Sequence, residues 1–159
     1  MSRAAKRRSA KSGLAPGALI HIGEVHAERT KITLSEYDES HFTEKEVRSL
    51  EGLMPSPDRK TVTWVHIDGL QDVQLLGQMG TVFGLHPLII EDILNTEQRP
   101  KMEDHGDYLY IVLKHFHQGE KDRLIPEQVS VILGPNYLIS LQEKEGTLVN
   151  PIHERLHNE

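Results

Sequence analysis

A chain of 159 residues with 37% apolar and 26% charged side chains has the composition of a folded domain and the length for one sizeable core. It has no cysteine, which excludes disulfides, thiolate metal sites and cysteine nucleophiles, and no run approaches the roughly 18 apolar residues of a membrane-crossing helix. The net charge of −6 is uneven: residues 1–12 carry five basic side chains and no acid, so residues 13–159 hold 13 basic against 24 acidic, a balance of −11 that attracts cations and argues against a nucleic-acid partner.

The basic start lacks the apolar middle of a secretory signal. With the GLAPG stretch at 13–17 it forms an expected disordered tail and linker over residues 1–17, ahead of one domain spanning 18–159. Ala18–Val25 and Thr30–Tyr37 alternate with period two and read as two half-buried strands in a hairpin. Thr43 with Glu46 is a capping-box pattern, and Val47 with Leu50 extends it into a short helix. Thr61–Ile67 (TVTWVHI) is β-branched and aromatic with little alternation, as in a strand covered on both faces, and is the candidate for the middle of the sheet. Asp72–Phe83 repeats Leu75, Leu76, Met79, Val82 and Phe83 at helical spacing, a core stripe. Its glycines Gly77, Gly80 and Gly84 have no phosphate-loop context and read as packing features.

The run His86–Lys101, HPLIIEDILNTEQRPK, predicts a second helix. Pro87 fits its first position, Gly84 closes the helix before it, and Arg99-Pro100 ends it. Ile89, Ile90, Ile93 and Leu94 fall on one face, and Leu88, Glu91, Asp92 and Asn95 on the other. Such an acidic face is ordinary solvated surface in most proteins. It is also the oxygen-rich donor set that a hard cation such as magnesium takes. Strands are then expected over Asp107–His117, Glu127–Leu133 and Tyr137–Gln142, the last two joined by a Gly134-Pro135-Asn136 turn, with a helix over Leu148–Glu159. The order of elements predicts an α/β fold, a mixed parallel and antiparallel sheet sandwiched between helices in three αβα layers.

Other chemistries find less support. Ten histidines raise zinc, and His115 with His117, like His66 with Asp68, would share a strand face. There is no HExxH pair, however, and no defined set of three or four ligands, so these are read as strand residues. No GxSxG elbow is present. Glu91 and Asp92 diverge by about 100° around a helix, which is wrong for two-carboxylate catalysis across a substrate.

The runs GLHPLIIEDILNTEQRPK, DYLYIVLKHF, EQVSVILGPNYLISLQE and PIHERL, with TWVHIDGL and LAPGALIHIGEV before them, closely resemble the N-terminal soluble domain of CorA-type magnesium transport proteins. The resemblance runs in order from about Gly13 onward. It implies the cytoplasmic domain of a homopentameric divalent-cation channel, located at the cytoplasmic side of the cell membrane, and not an enzyme. It also implies that Asp92 and Glu91 bind regulatory Mg2+, with Co2+ or another divalent cation as the alternative, at the boundary with a neighbouring subunit. In the family the carboxylate corresponding to Asp92 is paired with an aspartate on the neighbour's stalk helix. This sequence contains no stalk, membrane helices or Gly-Met-Asn signature, so it is expected to be a fragment that cannot conduct ions. Alternatives are a zinc or other transition-metal transporter of the same superfamily, a magnesium-dependent phosphate-ester enzyme with Arg99 and Lys101 as its clamp, and a stand-alone interaction module.

Overall fold

The computed structural model describes residues 19–22, 29–53, 60–119, 122–145 and 148–158. In chain order these form β1 (Lys31–Tyr37), β2 (Phe42–Val47), β3 (Val62–Asp68), α1 (Val73–Val82), α2 (Pro87–Leu94), β4 (Lys101–Asp104), β5 (Leu109–Gln118), β6 (Leu124–Leu133), β7 (Tyr137–Gln142) and α3 (Asn150–Asn158). The expected tail and linker lie outside the described residues. None of the described helices is long and apolar enough to cross a membrane.

All seven strands join one sheet in the order β2-β1-β3-β7-β6-β5-β4. Every pairing in it but one is antiparallel, as at β6–β7 around the Gly134-Pro135-Asn136 turn. The exception is β3 with β7, which run parallel with Thr63 opposite Tyr137 and Asp68 opposite Gln142. A parallel pair needs a long crossover, and everything from α1 to β6 supplies it. The fold is thus mixed α/β, as expected. β3 is buried from Thr63 to Asp68, matching its unalternating sequence, although β7 holds the middle position.

Alternate residues of the strands make one apolar face: Ile32 and Leu34, Val65 and Ile67, Ile139 and Leu141, with Ile132, Tyr110 and Val112. Helix α1 lays Leu75, Leu76 and Met79 on it, and α2 lays Ile89, Ile90, Ile93 and Leu94. A Cβ on Gly80 would stand 3.0 Å from Ile90 Cγ1, so glycine there sets how closely the two helices approach. On the other face Trp64 donates to Ser140 Oγ (2.9 Å), and His153 of α3 meets the Trp64 ring edge-on at 4.3 Å.

Three local expectations are corrected. Residues 42–47 form strand β2 and not a capped helix, because β1 offers them a full antiparallel ladder from Ile32↔Val47 to Tyr37↔Phe42. The hairpin partner of β1 is therefore β2, and its other edge pairs antiparallel with β3. Within the expected strand 18–25, the described part makes one isolated parallel bridge, Ile22↔Asn95. Finally, α2 stops at Leu94, well short of Pro100, since the Leu94 carbonyl is taken by the Ile22 amide (2.8 Å); Lys101–Asp104 then forms β4.

Candidate functional site

Helix α2 is fixed at its start by its own sequence. The Phe83-Gly84-Leu85 corner ends α1 with the Leu85 amide on the Gly80 carbonyl (2.8 Å) and the Gly84 amide on the Thr81 carbonyl (3.4 Å), a Schellman closure that needs the left-handed backbone of Gly84 (φ +63°). Two residues later His86 caps α2 by accepting the Leu88 amide on Nδ1 (3.2 Å). The His86 amide in turn donates to the Tyr108 hydroxyl (3.0 Å). Pro87 occupies the first turn, where its missing N–H costs nothing. With Ile89, Ile90, Ile93 and Leu94 buried, the helix cannot rotate, and its outer rim carries Leu88, Glu91, Asp92 and Asn95.

Leu88 is exposed, while Glu91, Asp92 and Asn95 are half-buried. Each Asp92 oxygen has a partner. Oδ1 accepts from Gln98 Nε2 (2.7 Å) and Oδ2 from Lys101 Nζ (2.5 Å). Lys101 also donates to Glu103 Oε1 (2.8 Å) and lies 5.3 Å from the centre of the Tyr110 ring. One ammonium on β4 is therefore shared by two carboxylates. Burial pushes the Lys101 ammonium down, but the hydrogen bonds to Asp92 and Glu103 outweigh it and the net direction is up. The Lys101 hydrogen bond holds the Glu103 carboxyl below its usual range.

Gln98 and Lys101 belong to the same QRPK run that marked the segment in the sequence, yet sequence reasoning gave Gln98 no part in the site and Lys101 only the part of a phosphate clamp in the enzyme alternative. Proline 100 reads as a stop, whereas the chain turns and brings both side chains back onto Asp92. Lys101 is engaged by Asp92 and Glu103, so the phosphate clamp that an enzyme reading required loses its central cation.

The histidine pairs fall into two different settings. His66 contacts Ser140 Oγ through Nδ1 (2.8 Å) and Asp68 Oδ1 through Nε2 (3.1 Å), and Asp68 Oδ1 also accepts from Gln142 (2.7 Å). This is a closed structural network beneath α3. His115 and His117 stand side by side on β5, with Glu127 of β6 directly across from His115, and the three form the one cluster of metal-ligating groups found among the described residues.

The sequence profile of the family described as CorA-like Mg2+ transporter protein matches residues 59–159. The cobalt/magnesium transport protein CorA of Thermotoga maritima is 40% identical over 152 residues, which is 95% of this chain and 43% of that protein. Among solved structures, the full-length CmaX protein superposes with a TM-score of 0.65 at 18% identity, covering 84% of this chain and 41% of that one. The soluble domain of CorA from Methanocaldococcus jannaschii does so with a TM-score of 0.57 at 13% identity, covering 79% and 46%. At these identities the two structures speak for the fold, and this chain spans less than half the length of each protein it matches here.

Proposed function

The chain belongs to the CorA-like Mg2+ transporter family, a family of transport proteins and not of enzymes, and from that premise we propose that it is the cytoplasmic, divalent-cation-sensing part of a pentameric magnesium/cobalt channel, with Asp92 and Glu91 as the cation-binding residues. The placement of helices α1 and α2 on one sheet face, with α3 against Trp64 on the other, supports reading the fold as three αβα layers. That arrangement leaves the rim of α2 at the surface, where a neighbouring subunit can reach it.

The observation that carries the reading is the incomplete neutralisation of this rim. Asp92 and Glu91 offer only oxygen donors, the type magnesium prefers. Asp92 accepts one hydrogen bond on each oxygen, which leaves about two of its four lone-pair positions open. Lys101 is divided between Asp92 and Glu103, so one positive charge faces two negative ones.

Brought against an acidic stalk, such a rim repels its neighbour. A divalent cation between the facing carboxylates supplies the positive charge that turns this repulsion into attraction. Asp92 and Glu91 then favour a tight, closed assembly when magnesium is abundant and allow subunits to separate and the pore to open when it is scarce. The equilibrium moves only as far as the cation's affinities for the two states differ. Carboxylates that leave the ion much of its water bind it weakly, which suits a sensor of an abundant ion. In the complete protein, Asp92→Ala is expected to leave the fold intact and make closure less sensitive to magnesium. Unchanged closure across a magnesium titration contradicts the assignment.

A further inference from the structure

On the sheet face opposite α2, two imidazoles and a carboxylate converge for which neither the α2 rim nor the core has a use. His115 and Glu127 are direct cross-strand partners, and His117 lies two residues along on the same face. One nitrogen of each imidazole and one oxygen of Glu127 lie within 4.8 Å of one another. Around a tetrahedral zinc with bonds of about 2.0–2.1 Å, ligand atoms sit roughly 3.3 Å apart. A small contraction of side chains therefore closes the set.

The hydrogen bonding leaves these groups unfinished. Glu127 is 3% exposed, and its Oε1 accepts the Lys144 amide (2.8 Å). Its Oε2 faces His117 Nδ1 at 3.8 Å, too far for a hydrogen bond. The Nδ1 atoms of both His115 and His117 are buried and have no hydrogen-bond partner among the described residues. A buried polar atom left unpaired costs on the order of 1–3 kcal/mol, and two on adjacent same-face histidines beside a buried carboxylate call for a shared partner. The cleft beside them, bordered by Glu143 and Lys144, has a volume of about 20 Å³, room for one ion or water.

We propose that His115, His117 and Glu127 form a binding site for a divalent transition ion of the zinc or cobalt type, separate from the carboxylate rim of α2. Imidazole nitrogen selects zinc, cobalt or nickel over magnesium. Two histidines and a glutamate leave the fourth position of a tetrahedral site to water. Lys144 Nζ approaches the other nitrogen of His117, Nε2, at 3.5 Å. Metal at Nδ1 puts the proton on Nε2, and the flexible lysine then turns away. An occupied site ties β5 to β6, and through Glu127 to the stretch that follows β7. The inference stands on this geometry and does not depend on the role assigned to Asp92.

The test is titration of the metal-free chain with zinc chloride by calorimetry, and with cobalt chloride by visible absorption. The expected result is one equivalent of zinc and an intense cobalt spectrum of low coordination number, neither displaced by excess magnesium nor altered in Asp92→Asn. His115→Ala/His117→Ala should weaken zinc binding at least about tenfold and leave cobalt with the weak spectrum of the hydrated ion. Glu127→Gln keeps the side chain's size and its bond to the Lys144 amide, so it provides a second readout if the double variant does not fold. Failure of the wild-type chain to take up zinc, or uptake unchanged in the variant that folds, overturns the proposal.

Discussion

Lys101 decides how the acidic rim behaves. It donates to both Asp92 and Glu103 with its side chain 26% exposed, a setting in which hydrogen bonds between charged groups outlast the screening that weakens surface pairs. Lys101→Met is expected to lower stability by about 1–2 kcal/mol, measured by urea unfolding. In the complete protein it should make closure respond to less magnesium, because Asp92 loses its competing cation. The pH dependence follows from the two shifts. Glu103 titrates below its ordinary 4.5, so its contribution is present above that pH and lost as the pH falls through the folded value. Lys101 titrates above its ordinary 10.5, so its contribution is present below that pH and lost as the pH rises through the folded value. The stability gap between wild type and Lys101→Met should hold from pH 4.5 to 10.5 and narrow on either side. The outward face of Glu91 and Asp92 was legible because helical spacing assigns faces directly. The role of Lys101 was not, since it depends on the chain folding back after Pro100.

Among the elements, those with strong local punctuation could be read from sequence. Pro87 and Gly84 occupy the positions that a helix start and a helix end require, and Gly134-Pro135-Asn136 makes the turn it predicts. Gly84 at φ +63° gives a direct check. Gly84→Ala forces a side chain into the left-handed region and should cost about 1–2 kcal/mol in thermal or urea unfolding, while Gly84→Asn, tolerated at such caps, should cost less. Strand β2 was misread for a physical reason. The Thr43 to Glu46 spacing is a helix signal only where a sustained apolar stripe of helical period follows, and Val47 with Leu50 is a single pair. Its exposed charges suit an edge strand that must not pair further, and the ladder to β1 decides its conformation. The end of α2 was misplaced similarly: Ile22, more than seventy residues earlier in the chain, captures the Leu94 carbonyl.

At the scale of the whole molecule, the β6–β7 hairpin emerges from sequence but the β1–β2 hairpin and the β3–β7 pairing do not. Two buried strands with little alternation carry no mark of which neighbour they choose, and this one parallel contact determines that the sheet is mixed. The same topology sets the rim of α2 on one sheet face and the His115, His117 and Glu127 cluster on the other, so the two proposed cation sites share no ligand. The central claim is that magnesium tightens the boundary where α2 meets a neighbouring subunit, and it can be measured at that boundary. Leu88 is 45% exposed on the same rim as Asp92, so Leu88→Cys as the single cysteine of the complete protein accepts a spin label beside the site. Distances between labels on neighbouring subunits, measured across a magnesium titration, should be short and narrowly distributed at high magnesium and lengthen and broaden on depletion, with Asp92→Ala remaining broad throughout. A distribution that does not change with magnesium in the wild-type protein contradicts the account.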